Sequence, residues 1–125
     1  MKLEYLADDS DDCPLIRLFE FTPAEVQELR KLVRALVSGE RQSVTLQDEA
    51  WAEPVGGCHL SLRRGNRDQG IRQEEPLKFE CVLSSDGWSN VEGLLDPFCN
   101  SNTTGFQWLT HDGRVSLLIS QSGKW

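Results

Sequence analysis

Residues 21–39 constrain the fold most strongly, because they contain signals for both ends of one amphipathic helix. Thr22 can accept a hydrogen bond from a backbone N–H of the first turn, and Pro23 suits the first helical position. Glu25 completes a capping box with Thr22, and Gly39 can adopt the left-handed conformation that ends many helices. Between these ends, apolar residues recur with the helical period and form one stripe: Val26, Leu29, Val33, Leu36 and Val37.

Most of the remaining pattern predicts strands. Apolar patterns indicate strands over residues 2–6, 15–21, 43–51, 58–64, 77–83, 106–110 and 114–120. Most of these segments alternate, whereas residues 15–21 are apolar on both faces, which suggests a place inside the sheet. Short connections favour antiparallel neighbours, so we expect an α+β fold with a mostly antiparallel sheet of about six or seven strands. The long amphipathic helix, from Thr22 to Ser38, would pack on one face of this sheet. Two sheets with the helix at one end are the alternative.

The region before the last two strands predicts a second, shorter helix. Ser89 and Glu92 have the spacing of another capping box, and Pro97 is expected to stop the helix. A short helix near Ser89 to Asp96 is therefore predicted. The Asp-Gly pair that ends at Gly113 predicts a tight hairpin turn between the last two strands, because both residue types tolerate positive φ.

The chain is acidic and has the size of one domain. Residues 1–125 are enough to bury a core, and no repeat or second domain is visible. Thirteen Lys and Arg against 20 Asp and Glu give a formal net charge of −7, which predicts no general attraction to nucleic acid or to an anionic membrane. No apolar run could span a bilayer, and the first residues do not have the form of a signal peptide. We therefore expect a cytoplasmic protein.

No catalytic motif is present in the sequence. It lacks the nucleophile elbow and the Walker and dinucleotide-binding patterns, so no catalytic residue and no cofactor are expected. The acidic run at residues 8–12 lacks the ligand order of a calcium loop, and we expect no metal site. In a reducing compartment, the cysteines are expected to be small buried residues rather than disulfides: Cys13, Cys58, Cys81 and Cys99.

A loop rich in arginine is the first candidate binding site. Residues 65–76 are polar and predict a long loop between two strands, with four arginines in or beside it: Arg63, Arg64, Arg67 and Arg72. Because guanidinium groups bind carboxylates through paired hydrogen bonds, this loop is predicted to dock an acidic surface, either on a partner or at residues 8–12 of a second copy. The alternative is that Asp68, Glu74 and Glu75 neutralise a solvated connector. RNA is not expected, since no aromatic stacking residue accompanies the arginines.

Two tryptophans at element ends extend this candidate site. Trp51 and Trp88 can remain partly exposed there, and tryptophan is enriched at binding hot spots. We therefore predict a non-catalytic protein-interaction module that binds a protein partner or a second copy through these arginines and tryptophans. The alternative is a small-ligand-binding or enzymatic domain with a cleft near Trp88, Cys99 and His111. A concave pocket with convergent polar groups would favour that alternative.

Overall fold

The computed structural model describes residues 1–101 and 103–125. In chain order, these residues form strands β1 (Lys2–Leu6), β2 (Leu15–Phe19), β3 (Ser43–Thr45), β4 (Glu53–Pro54), β5 (His59–Arg64), β6 (Gly70–Glu75), β7 (Lys78–Leu83), β8 (Phe106–Thr110) and β9 (Ser116–Ser120), and helices α1 (Pro23–Ser38) and α2 (Ser85–Asn100). Short 3-10 turns at Leu46–Asp48 and Val55–Gly57 follow β3 and β4.

The strands form two sheets rather than one. Within the described residues, the first sheet has the order β4-β1-β2-β9-β8 and the second has the order β3-β5-β7-β6. Both sheets are mixed, because β2 and β9 are parallel, as are β5 and β7, while their other main neighbours are antiparallel. The prediction of one mostly antiparallel sheet with one long helix was therefore wrong.

One source of the difference is residues 65–76, which the sequence predicts as a polar loop between antiparallel strands. Residues 70–75 form β6 instead, and β6 pairs with β7 on the side away from β5. Four of the six side chains of β6 are exposed, because it lies at a sheet edge, so no apolar alternation identifies it as a strand. With β6 placed beyond β7, strands β5 and β7 become parallel neighbours.

Helix α1 begins and ends at the predicted signals. The Thr22 hydroxyl accepts a hydrogen bond from the Glu25 N–H at 3.2 Å, and the Glu25 carboxylate accepts one from the Thr22 N–H at 2.9 Å. These two bonds complete the capping box, and Gly39 follows the helix with φ 81°. The apolar stripe of the helix is buried at Val26, Leu29, Val33 and Leu36.

Helix α2 is longer than the predicted helix near residues 89–96, so the expectation of a short second helix was wrong. Both helices have 16 residues. The Ser84 hydroxyl caps α2 by accepting a first-turn N–H at 3.1 Å, and the helix continues through Pro97. Phe98 is buried against Phe21, with ring centroids 6.0 Å apart. This tertiary contact favours helical structure beyond Pro97.

Both helices and both sheets contribute to one apolar core. At its centre, side chains from α1, α2, β2, β5, β8 and β9 meet: Leu29, Val33, Trp88, Val91, Leu18, Leu62, Leu109 and Leu117. On the solvent side, Arg30 and Arg34 of α1 form ion pairs with Asp96 and Glu92 of α2, at 3.0 and 2.9 Å. The core and these pairs hold the two helices against each other.

The two sheets meet where β6 crosses the segment before β9. Ile71 of β6 forms an isolated antiparallel bridge with Val115. Gly70 has φ 74°, and a Cβ at Gly113 would lie 2.5 Å from the Ile71 carbonyl oxygen. The predicted tight hairpin is replaced by a longer link, residues 111–115, in which Gly113 permits this close approach and does not have positive φ.

Candidate functional site

The structure places the four predicted arginines in different settings, and Arg64 lies at the end of α1. Its Nη1 donates to the carbonyls of Leu36 and Val37, at 3.3 and 3.1 Å. The last carbonyls of a helix have no partner within the helix, and they carry partial negative charge. Arg64 therefore stabilises the end of α1.

Arg63 and Arg72 lie on either side of one carboxylate. Their Nη2 atoms are 3.4 and 3.0 Å from Oε1 of Glu80, which belongs to β7, the strand between β5 and β6. Arg67 is exposed in the link between β5 and β6 and forms no ion pair with the described residues. The structure thus brings Arg63 and Arg72 together and holds Arg64 elsewhere. The binding of a partner by these arginines stays a prediction.

The two predicted tryptophans differ in burial. Trp88 is fully buried, and its Nε1 donates to the Arg63 carbonyl at 3.0 Å. Trp51 is half-buried against the core, and its carbonyl accepts a hydrogen bond from the Met1 amino group at 2.8 Å. The Trp88 ring is therefore part of the core, where no partner can contact it without a rearrangement of the fold.

The residues of the alternative cleft are not brought together. Trp88 and Cys99 are both buried, and their positions on α2 are about 16 Å apart along the helix axis. His111 is exposed in the link between β8 and β9, where its Nδ1 lies 3.2 Å from the Ser116 hydroxyl. No shared contact joins these three side chains within the described residues.

Three of the cysteines are buried. Burial raises the pKa of the Cys58 thiol to about 11, and burial also raises the pKa of the Cys81 and Cys99 thiols. All four cysteines are free. Because the thiolate is the nucleophilic form, the three buried cysteines react slowly at neutral pH.

We expect native protein to react with an aromatic disulfide reagent in two phases at neutral pH. The half-buried Cys13 should react first, and Cys58, Cys81 and Cys99 should react only as the protein unfolds. Since burial raises its pKa to about 11, any labelling of Cys58 that occurs without unfolding should still accelerate above pH 9. Mass spectrometry locates the label, and Cys13→Ser should remove the fast phase. Fast labelling of Cys81 in native protein would contradict this burial.

The acidic run at residues 8–12 is exposed. The Asp12 carboxylate accepts a hydrogen bond from Trp125 Nε1 at 2.9 Å, so this side chain holds a second segment of the chain. Within residues 1–101 and 103–125, no group of three or more His, Cys, Asp or Glu side chains is arranged to hold a metal ion.

A groove of about 860 Å³ lies at the junction of the two sheets. It is lined on one side by β6 with its preceding link, and on the other by the segments before β2 and β9. Its charged residues have both signs, because Asp112 lies with Arg72 and Arg114, and Arg72 is already paired with Glu80. The groove therefore lacks the single sign of charge that would select an anionic or a cationic ligand.

Strand β8 carries exposed aromatic side chains at the edge of the five-stranded sheet. Phe106 is 47 % exposed, and its ring centroid lies 6.4 Å from that of the half-buried Trp108, in a T-shaped arrangement. The His111 ring extends the row, with its centroid 4.9 Å from that of Trp108. We call Phe106, Trp108 and His111 the aromatic ridge.

Strand β8 also differs from the other edge strands. β3 and β4 have only three and two residues, and β6 carries Arg72, Glu74 and Glu75. Short length and charge are common protections of an edge strand against pairing with another chain. β8 has five residues, none of them charged, and no strand among the described residues pairs with its outer edge.

No family model, curated protein or solved structure matches the chain. In the part of the chain that the structure describes, no helix is long and apolar enough to cross a membrane. Geometry and charge favour β8 as the binding site over the groove, whose charges are mixed, and over the arginines, most of which already have partners within the chain.

The sequence contains a signal for β8 that helix and strand patterns do not use. Residues 97–111 include no Asp, Glu, Lys or Arg, although these types make up 26 % of the chain, about one residue in four. Like charges on an acidic protein repel other copies of it, and an uncharged stretch of this length lacks that repulsion. Clustered arginines do not mark this stretch, because its signal is an absence of charge.

Proposed function

We propose that this protein is a non-catalytic protein-interaction module that binds an extended segment of a partner at β8. The observation that carries the proposal is the uncharged outer edge of this strand, which no other described strand covers. Such an edge presents backbone N–H and C=O groups in a row. An extended segment can pair with these groups as an added strand, and its side chains then give specificity.

Phe106 and Trp108 would supply the side-chain contacts of this interface. They pair with Ser120 and Leu118 of β9, on the face opposite to the core residues Leu117 and Ile119. A partner strand can therefore cover both rings without disturbing the core. Aromatic residues are enriched in the buried centres of protein interfaces and dominate many of their binding energies.

The cysteine thiols support a non-catalytic role and a cytoplasmic location. The buried cysteines have raised pKa values, which makes them poor nucleophiles and supports a non-catalytic role. Four free cysteines are typical of a protein in a reducing compartment, and we therefore propose a cytoplasmic location.

A photo-crosslinking residue at position 106 tests this function. Protein with p-benzoyl-phenylalanine at position 106 is expressed in the source cells and irradiated, and adducts are identified by mass spectrometry. Position 77 is the matched control, because Leu77 is apolar and 44 % exposed but lies between strands, not on an edge. We expect an adduct from position 106 and none from position 77.

A charge on β8 provides the second arm of this test. Trp108→Lys should lower the adduct yield from position 106 at least about tenfold, because a charge on the strand opposes pairing and a hot-spot side chain is lost. Circular dichroism verifies that this variant is folded. Equal yields from positions 106 and 77, or equal yields with and without Trp108→Lys, would contradict the proposed function.

A further inference from the structure

We infer that the extended segment bound at β8 is the β8 strand of a second copy of this chain. The inference rests on the proposed function, because it names the partner of the same strand edge. Two β8 strands that run antiparallel across a twofold axis present the same surface to each other, which is the usual geometry of a closed dimer. Their pairing would join two five-stranded sheets into one continuous sheet.

A pairing centred on Trp108 is self-complementary. Each Trp108 then faces Trp108 of the other copy, and each Phe106 is its diagonal neighbour across the strands. In the single chain, these rings form a pair at the sheet edge, with Phe106 nearly half exposed. In the dimer, four rings would form one cross-strand cluster and exclude water from both Phe106 side chains.

Charge favours a second copy over a charged partner strand. Each chain has a net charge of −7, so two copies repel each other over most of their surfaces. Residues 97–111 are uncharged, and a pairing centred on Trp108 places Asp112 opposite Thr104 rather than opposite an acidic residue. A basic or acidic partner strand would find no complementary charge on β8. The β8 strand of a second copy carries no charge, so it avoids this mismatch.

The effect of added salt distinguishes this interface from one that is held by ion pairs. If residues 8–12 of one copy docked on the arginines of another, added salt would weaken the association. In the β8 pairing, the strands carry no ion pair, and salt screens the repulsion between two chains of charge −7. Added salt therefore strengthens a β8 dimer.

Sedimentation equilibrium of the purified full chain tests the inference. From about 1 μM to about 1 mM protein, we expect a reversible monomer–dimer equilibrium. Its dissociation constant should fall as sodium chloride is raised from about 0.05 M to about 0.5 M. Phe106→Lys and Trp108→Lys should each raise this constant at least about tenfold. Leu77→Lys adds the same charge at a similarly exposed position and should not raise it.

A monomer at every concentration overturns the inference, and so does a dimer that salt weakens or that Phe106→Lys leaves intact. Phe106 is exposed, so its replacement tests the interface even if Trp108→Lys fails to fold. If position 106 captures a different protein in cells while the purified chain stays monomeric, the proposed function stands and the second copy is excluded. If position 106 captures nothing in cells or in purified protein, both are excluded.

Discussion

Replacement of Gly70 by alanine is expected to lower the free energy of unfolding by about 2–5 kcal/mol. The left-handed backbone at φ 74° costs an L-residue about 1–2 kcal/mol. The new Cβ would also overlap the Gly113 backbone, and overpacking adds about 1–3 kcal/mol. The backbone cannot easily move to relieve this overlap, because Ile71, the residue after Gly70, forms a β-bridge with Val115. Urea denaturation measures the change as a shift of the midpoint at constant m-value.

Gly93→Ala is the matched control, and we expect it to change the stability in the opposite direction. Gly93 lies inside α2, and a Cβ there would meet no atom within 4 Å. Because alanine is the better helix former, we expect Gly93→Ala to stabilise the protein by about 0.5–1 kcal/mol. If Gly70→Ala were as stable as the parent while Gly93→Ala behaved as expected, the close contact between the two sheets would be disproved.

Trp88→Ala is expected to destabilise the protein by about 3–5 kcal/mol, the usual range for removal of a large buried aromatic side chain. Trp88 is fully buried where both sheets and both helices meet. Its loss would leave a cavity and remove the hydrogen bond that Trp88 Nε1 donates to the Arg63 carbonyl at 3.0 Å. Urea denaturation, followed by circular dichroism, measures the loss.

Trp108→Ala is the comparison for Trp88→Ala, because the same residue type is removed from the surface. Trp108 is only half-buried, so we expect a smaller loss of stability than for Trp88→Ala. Association at β8 should weaken instead. Equal losses of stability for the two variants would contradict the assignment of Trp88 to the core and of Trp108 to the aromatic ridge.

The parts of the fold that the sequence predicts are those fixed by local interactions. The capping box of α1 joins residues three positions apart, and its apolar stripe follows from the helical period. Strands β5 and β7 alternate, so four of their buried residues could be identified in advance: Leu60, Leu62, Phe79 and Cys81. Val82, which the alternation places on the other face of β7, is also buried. These signals need no knowledge of what lies beside each element.

Sheet order could not be predicted, because alternation identifies the buried face of a strand and not its neighbour. Strands β5 and β7 have the same pattern whether they are parallel or antiparallel. The start of α2 could not be predicted either, because Ser84 and Ser89 are both suitable N-cap residues. Trp88 lies between them, and its burial in the core requires the earlier start.

The candidate site, too, could be predicted from the sequence only in part. Arg64 is the last residue of a strand, but its guanidinium acts at the end of α1, which only tertiary structure reveals. The importance of β8 depends on which strands lack a neighbour, and no local pattern contains that information. The uncharged run at residues 97–111 could be read from the sequence alone, but its meaning required the position of β8 at the sheet edge.

The position of β9 between β2 and β8 has a consequence for the order of folding. Leu15 pairs with Ser116, about 100 residues later, and closing a loop of that length costs about 4 kcal/mol in chain entropy. The four-stranded sheet uses only residues 43–83 and does not require this closure. During synthesis, β2 therefore has an open edge, with Leu15 and Ile16 accessible to other chains, until residues 116–120 have left the ribosome.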